Sequence, residues 1–313
     1  AVAGITRPDR TVQATVDFVD IAGLVRGASH GEGLGNQFLG HIREVAALAH
    51  VVRCFPDPDV PHMEGGVDPV RDIELVEAEL ALADLAAVER EVERARSLVR
   101  THHDPKAGSQ LTLLNDAAEA LKRGRQVRLL PSDPEREMLL RPLRLLTDKP
   151  VVYVANVAEA ELPSGGAAAA QVVRHAAEVR AGAVILAAKL EAEAAGLSDV
   201  DALELLRAYG LAERGLDALI HAAYRLLDLV TFFSTASKEV RAWPVPRGTR
   251  APQAAGEIHT DMERGFIRAE VIQWEALVSA GSLRAAQDHG LIRLEGKDYV
   301  IQDGDVVQFR FAV

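Results

Sequence analysis

The stretch TVDFVDIAGLVRGASHGEGLGNQF, residues 15–38, places five glycines directly after a short segment of alternating apolar and polar residues. The alternation over TVDFVD (15–20) predicts a β-strand. Glycine costs conformational entropy in a folded chain, so a dense run indicates a sharp backbone turn or a ligand that approaches the backbone closely. The spacing of apolar residues from Leu34 to Val45 then predicts a helix. A strand, a glycine-rich turn and a helix together indicate an α/β fold.

Three more apolar runs have the length and the β-branched residues of buried strands. They are AHVVRCF (49–55), PVVYVANV (150–157) and AGAVILAA (181–188). Short apolar strands that alternate with helices are typical of a mostly parallel sheet with helices on both faces. The sequence therefore predicts an α/β domain built around these strands.

Between the second and third strands, residues 72–100 contain almost no turn residues and are rich in Glu and Arg. Their apolar residues recur at alternating spacings of three and four, and a similar series follows the turn THHDPKAGS. The residues are Ala78, Ala81, Leu85, Val88, Val92, Ala95 and Val99, then Leu111, Leu114, Ala118 and Leu121. The spacing predicts an antiparallel coiled-coil hairpin inserted into the α/β domain. Two ordinary amphipathic helices of a single domain would give the same periodicity.

Beyond about Thr231 the chain changes to strand-like segments separated by Gly- and Asp-containing turns. The segments are VRAWPV, IRAEVI, DYVIQ and VVQFRFAV, and they predict a small mixed β domain. We therefore expect a divided α/β domain (1–72 and 148–230), a helical insertion (73–147) and a C-terminal domain (231–313).

The composition excludes several classes of protein. The net charge of -11 argues against general binding to DNA or to an anionic membrane, although it is compatible with a local basic patch. No run of about 18 apolar residues is present, so no transmembrane helix is predicted. Cys54 is the single cysteine, which excludes an intrachain disulfide and suits a reducing cytoplasm. It is either a small buried apolar residue or a redox sensor.

Asp20 and Gly23 follow the first predicted strand with the spacing Asp-x-x-Gly. An Asp at the carboxyl end of a strand can hold Mg²⁺ through water, and a glycine N–H can contact the terminal phosphate of a nucleotide. A strand-end turn capped by Asp would show the same spacing without any function. The motif alone therefore leaves both interpretations open.

The longer runs around this motif resemble the YchF family of Obg-like P-loop ATPases. They are DIAGLVRGASHGEGLGNQFLGHIREV, HVVRCF and GGVDPVRDIE. The runs KEVRAWPVPRGTRAPQAAGEIHTDMERGFIRAEVI and RLEGKDYVIQDGDVVQFRF are similar to the TGS domain of that family. The resemblance extends from about Thr11 to Val313. It implies a P-loop NTPase-type domain with a coiled-coil insertion, followed by a ubiquitin-like α+β TGS domain.

The resemblance also implies an activity, namely that of a cytoplasmic, monomeric, ribosome-associated ATPase switch that depends on Mg²⁺. Asp20 would hold Mg²⁺, Gly23 would contact the γ-phosphate, and the remaining glycines would form the mobile switch. Leu24 stands where many GTPases carry a water-orienting Gln, and a leucine side chain makes no hydrogen bonds. The resemblance points instead to His62 in VPHMEGG, which could accept or relay a proton near neutral pH. The alternative is an ordinary histidine in a surface loop.

The nucleotide base provides a further criterion. GTPases use Asn-Lys-x-Asp, whose Asp accepts two hydrogen bonds from guanine, whereas this chain has NVAE at 156–159. Adenine offers an N6 amino donor, which the Asn156 side-chain oxygen or a backbone carbonyl could accept. The family motif NxxE, with Glu159 at its end, implies that ATP binds more tightly than GTP. The last base-contacting loop corresponds to Ala187, Ala188 and Lys189. As an alternative, Asn156 serves only to form a turn at the strand end.

The phosphate-binding motif Gly-x-x-x-x-Gly-Lys-Ser/Thr does not occur in the 313 residues. In the family it precedes the Asp20 strand by several tens of residues. Either the natural chain is longer at its N-terminus, which we expect, or this copy has lost the loop. In both cases the 313 residues hold only part of a nucleotide site.

Five arginines of the C-terminal domain are candidates for contacts with ribosomal RNA phosphates, and solvated surface arginines are the alternative. They are Arg241, Arg247, Arg250, Arg264 and Arg268. Two rival functions remain at this point. One is a non-hydrolysing scaffold that binds RNA or protein through the TGS and coiled-coil surfaces. The other is an Obg-type GTPase, against which the missing Lys and Asp of the guanine motif argue.

Overall fold

The structure, a computed structural model, describes residues 1–21, 34–59, 62, 65–102, 105–236 and 239–312. It divides the chain into two compact units. One unit is Val19–Leu226, and the other combines Ala1–Phe18 with Leu227–Val313. The domain boundaries expected from the sequence stay a prediction.

The helices and strands follow one another along both units. The helices are α1 (Val2–Thr6), α2 (Leu34–Glu44), α3 (Pro69–His102), α4 (Pro105–Lys122), α5 (Pro134–Leu140), α6 (Gly166–Glu178), α7 (Ala188–Ala195), α8 (Asp199–Ala208), α9 (Gly215–Leu226), α10 (Ala251–Ile258), α11 (Thr260–Arg264), α12 (Trp274–Ala280) and α13 (Leu283–Asp288). The strands are β1 (Arg10–Val12), β2 (Leu48–Arg53), β3 (Val151–Asn156), β4 (Gly182–Leu186), β5 (Leu229–Ala236), β6 (Glu239–Pro246), β7 (Phe266–Gln273), β8 (Arg293–Glu295) and β9 (Asp305–Phe311). No helix of the described residues combines the length and the apolar character needed to cross a bilayer.

The first unit is built around a parallel sheet of order β2-β3-β4. Strand β3 is buried on both faces because its residues alternate between two apolar clusters. Tyr153 packs with Val172 of α6, while Val154 packs with Ala222 of α9. Continuous apolar sequence is what a strand covered on both sides requires. The three apolar strands and the parallel sheet predicted from the sequence are therefore confirmed.

Helices α3 and α4 form a long pair. Lys122 at the end of α4 lies 3.6 Å from Glu89 in the middle of α3, measured from Nζ to Oε1, so the helices run antiparallel. The residues buried between them include members of both predicted apolar series, whereas Ala78 is exposed. They are Ala81, Val88, Val92, Ala95, Leu114, Ala118 and Leu121. The heptad spacing thus identified the contact surface, and the assignment of this pair as a coiled-coil insertion stays a prediction.

A buried carboxylate connects α3 to the segment that leads into β3. Asp84 has no solvent exposure. Its oxygens accept hydrogen bonds from the Leu146 N–H at 2.9 Å, the Thr147 N–H at 2.7 Å and the Thr147 hydroxyl at 2.7 Å. These contacts bridge more than 60 residues of sequence and close the helical segment onto the base of α3.

A second group of polar side chains lies between the sheet and helices α3 and α6. Tyr153 donates its hydroxyl proton to Glu77 of α3, and its ring makes an edge contact with His175 of α6 at 5.3 Å between centroids. His175 Nε2 lies 3.5 Å from Glu77 Oε1. The neighbouring His50 of β2 is half-buried, and its desolvation lowers the pKa of the imidazole from 6.5 to about 4.

The second unit contains a mixed sheet of order β1-β6-β5-β9-β7-β8. Its core lies between this sheet and α10, with Phe232, Val271 and Phe309 among the buried residues. Three of the four predicted C-terminal strands are present as β6, β7 and β9. The prediction of a strand over DYVIQ is wrong, since within it only Val300 forms an isolated bridge, to Arg250.

The prediction of a strand over TVDFVD (15–20) is also wrong. The segment has no regular secondary structure, and Phe18 and Val19 are 48% and 64% exposed. A strand forms only when a neighbouring strand satisfies its backbone hydrogen bonds. Among the described residues no strand pairs with this segment. The predicted helix after the glycine run is confirmed as α2, which buries Leu39 and Ile42.

Candidate functional site

The sequence-predicted base-contacting residues meet at the carboxyl edge of the parallel sheet. Strands β3 and β4 end at paired positions, because Asn156 lies opposite Leu186 in the register. The segment Ala187–Lys189 follows β4 directly and begins helix α7. Ligands of open α/β sheets bind outside the carboxyl ends of the strands, so this edge is where a nucleotide is expected.

Asn156 joins the two strand ends through its side chain. Its Oδ1 accepts a hydrogen bond from the Ala188 N–H at 3.0 Å. An amide oxygen has two lone pairs, so one further hydrogen bond from a ligand remains sterically and electronically allowed. The contact makes Asn156 a bridge between the NVAE turn and the loop after β4, which is more than a local turn at its own strand.

Glu159 lies beside this bridge, in a 3-10 turn that spans Glu159–Glu161. Its Oε1 is 3.4 Å from the Lys189 ammonium, and its Oε2 accepts a hydrogen bond from the Tyr209 hydroxyl at 3.5 Å. Oε1 is buried and has no hydrogen-bond partner among the described residues, and Lys189 itself is 77% exposed. Buried carboxylate oxygens normally accept hydrogen bonds, so Oε1 is available to a donor from a ligand.

His62 follows β2, whose carboxyl end lies at the same edge of the sheet because Arg53 pairs in register with Asn156. Its Nε2 is 2.8 Å from Oδ2 of Asp72, in the first turn of α3. The His62 carbonyl accepts a hydrogen bond from the Gly65 N–H at 3.3 Å. Gly65 has a φ of 75°, a left-handed conformation that glycine adopts without strain.

Asp20 is exposed and makes no hydrogen bond or ion pair with the rest of the described chain. Gly23, Leu24 and the glycines up to Gly33 lie outside the described residues, so the expected phosphate contacts of this run stay a prediction. In the described ranges there is no group of three or more metal-ligating side chains. Mg²⁺ keeps several waters and takes one or two protein carboxylates together with phosphate oxygens. A single exposed carboxylate at Asp20 fits that pattern.

The candidate RNA-contacting arginines lie in the second unit, and three of them pair with carboxylates. Arg247 pairs with Asp228, Arg250 with Asp298 and Arg268 with Glu270, at distances of 2.8, 2.8 and 3.6 Å. Arg241 and Arg264 have no carboxylate within ion-pair distance among the described residues. Arg241 stacks on the ring of Trp243, 4.2 Å from its centroid.

Residues 229–312 match the family model YchF-GTPase_C, described as a protein of unknown function (DUF933). The chain is 45% identical over 311 residues to the ribosome-binding ATPase YchF of Bacillus subtilis, a match that covers 99% of this chain and 85% of that protein. The chain belongs to the YchF family. The ribosome-binding ATPase YchF of Escherichia coli O157:H7 is 44% identical over the same shares.

A solved YchF structure agrees with this assignment. The YchF GTPase of Schizosaccharomyces pombe superposes on 99% of this chain and 84% of its own with a TM-score of 0.88, at 30% sequence identity. The family resemblance inferred from the sequence is therefore confirmed, together with a mixed α/β fold that contains a parallel sheet. Within the YchF fold, the individual site residues named above stay predictions.

Sequence reasoning missed two residues of the candidate site. Asp72 contacts His62, and Arg71 donates to Asp72 Oδ1. Both lie in the run GGVDPVRDIE, where Asp68 followed by Pro69 marks a helix start. A charged residue in the first turn of a helix after a histidine-containing loop was the available signal.

Proposed function

We propose that this protein is an ATP-binding and ATP-hydrolysing switch of the YchF type, working at the ribosome in the cytoplasm. The observation that supports it most strongly is the pairing of the NVAE turn with the loop after β4, through Asn156 with Ala188 and Glu159 with Lys189. This arrangement offers acceptor oxygens and lacks the Lys and Asp with which GTPases bind guanine. Its chemistry favours the N6 amino group of adenine.

Each residue of the site has a defined task in this proposal. Asn156 holds the two base-contacting loops together, and Glu159 Oε1 accepts a hydrogen bond from the base. Asp20 would hold Mg²⁺ through water, and Mg²⁺ when bound neutralises the negative charge of the triphosphate. His62 orients the attacking water, since Leu24 has no hydrogen-bonding group. Gly23 would contact the γ-phosphate through its N–H.

The proposed preference for ATP is tested by calorimetric titration of the full-length protein with ATP and with GTP in the presence of Mg²⁺. We expect ATP to bind more tightly, and we expect Glu159→Ala to weaken ATP binding. Glu161→Ala is the matched control, because Glu161 lies in the same 3-10 turn and is exposed. Tighter binding of GTP would contradict the adenine assignment and favour an Obg-type GTPase.

If neither nucleotide binds, the scaffold function becomes the better account. The 313 residues contain no Gly-x-x-x-x-Gly-Lys-Ser/Thr motif, and this is the specific observation that favours that alternative. A scaffold would bind ribosomes without nucleotide and without hydrolysis. Sedimentation with ribosomes in the presence and absence of ATP therefore separates the two functions.

The names of the relatives support a ribosomal partner, and the arginines suggest how it is bound. Arg241 and Arg264 are the better candidates for phosphate contacts, because a carboxylate partner neutralises each of the other three. Replacing either by Ala should reduce the salt dependence of ribosome binding by about one unit of slope. Arg250→Ala, whose guanidinium already pairs with Asp298, is the matched control.

A further inference from the structure

We propose that Asp72 is a positioning residue for His62, holding the imidazole ring in one orientation and one tautomer. This inference rests on the proposed role of His62 in hydrolysis. It adds a residue that the motif pattern does not identify, and it concerns the first turn of helix α3 instead of the glycine-rich run.

The contact is close and shielded from water. His62 Nε2 and Asp72 Oδ2 are 2.8 Å apart, which is a short distance for a hydrogen bond between nitrogen and oxygen. The two side chains are only 17% and 21% exposed. A charge-assisted hydrogen bond in such surroundings is stronger and more directional than one between exposed groups.

The carboxylate determines which nitrogen of the ring carries the proton. An ionised Asp72 can only accept hydrogen bonds, so Nε2 of His62 must be the donor. In the neutral imidazole the lone pair then lies on Nδ1. Nδ1 is therefore the atom that would accept a hydrogen bond from the attacking water.

Asp72 is itself fixed by its neighbours. Arg71 donates to Asp72 Oδ1 from Nη2 at 3.1 Å and from Nε at 3.3 Å, which leaves Oδ2 directed at His62. The same Arg71 Nη2 donates to the Gly66 carbonyl at 2.5 Å and so ties the loop to the helix. The N-terminal position in α3 favours a negative charge through the helix dipole. The carboxylate is therefore ionised and oriented before any nucleotide binds.

The proposal is tested by steady-state ATP hydrolysis in the full-length protein with His62→Ala, Asp72→Ala and the double variant. We expect Asp72→Ala to lower kcat about 10- to 100-fold with little change in KM, as for other residues that orient a reacting group. In the His62→Ala background the same substitution should have no further effect, because Asp72 acts through the imidazole. Asp68→Asn is the control, since Asp68 accepts from the Arg71 N–H at the same helix start.

The outcomes separate this inference from the proposed function. An unchanged kcat in His62→Ala would refute the role of His62 itself. A lowered kcat in His62→Ala with an unchanged kcat in Asp72→Ala would overturn the positioning role, and so would independent, multiplying effects in the double variant. Asp72→Asn keeps an acceptor oxygen for Nε2–H and should retain more activity than Asp72→Ala. Equal losses in these two variants would contradict the tautomer argument.

A second measurement needs no nucleotide. NMR of the 313-residue chain should show a proton bound to Nε2 of His62 that exchanges slowly with water. The signal should vanish in Asp72→Ala and persist in Asp68→Asn. Its persistence in Asp72→Ala would overturn the proposal, whatever the hydrolysis rates are.

Discussion

Replacing Asp84 by alanine should strongly destabilise the segment that joins the helical pair to β3. The carboxylate accepts three hydrogen bonds in a fully buried position, from the N–H and the hydroxyl of Thr147 and from the Leu146 N–H. Each buried donor left without a partner costs about 1–3 kcal/mol. Part of this is offset, because desolvation raises the pKa of Asp84 and the ionised group is itself costly to bury. We therefore expect a net loss of about 3–5 kcal/mol in the free energy of local unfolding.

Hydrogen exchange followed by mass spectrometry reports this loss at the affected amides. A decrease of about 3–5 kcal/mol corresponds to exchange at least about 100-fold faster in the peptide that contains Leu146 and Thr147. Asp84→Asn keeps one acceptor oxygen and should give an intermediate rate. Peptides of the C-terminal unit, such as β9, serve as an internal reference.

A matched control isolates the effect of burial. Asp133 caps helix α5 and accepts from the backbone N–H groups of Glu135 and Arg136 at 3.0 and 3.2 Å, but it is only half-buried. Asp133→Ala should cost about 1 kcal/mol, the usual value for an N-cap. Equal losses in Asp84→Ala and Asp133→Ala would refute the reasoning that desolvated donors dominate the energy.

Three further predictions concern protonation, reactivity and packing. The folded-state pKa of His50 is lowered from 6.5 to about 4, so the unfolded chain takes up this proton first and stability falls by up to about 3 kcal/mol as pH drops through that window. His50→Gln should flatten this part of a urea-denaturation series measured against pH. Cys54 is 6% exposed and burial raises its pKa to about 11, so a thiol reagent at pH 8 should label it only after denaturation. Gly265→Ala should cost about 1–3 kcal/mol in urea denaturation, because the added Cβ would collide with the Ala312 carbonyl, whereas Gly296→Ala has open space and should be neutral.

The parallel sheet was predictable because burial on both faces leaves a direct trace in sequence. Val151 to Ala155 are apolar without interruption, and every one of them is buried. The helical pair was predictable for a related reason, since residues such as Val88 and Leu114 recur with the period of a packed helix. Local periodicity is sufficient wherever an element contacts the core along its whole length.

The errors arise where the outcome depends on a distant partner. TVDFVD has the alternation of a strand, but the described part of the chain provides no neighbour to pair with it. DYVIQ fails in the same way, apart from the bridge at Val300. The contact between His62 and Asp72 joins a loop to a helix start, and no periodic pattern records such a contact. Of the candidate site, sequence therefore indicated the strand-end residues and missed the residue that orients the histidine.

Helix α3 connects the candidate site mechanically to the far end of the helical pair. It is a continuous helix of 34 residues, so it is about 50 Å long. Asp72 lies in its first turn, and any movement of the His62 loop that shifts this turn also tilts the whole rod. A tilt of about 5° at the base would displace the opposite end by about 4 Å. Subångström rearrangements around a phosphate would in this way become movements large enough for another macromolecule to detect.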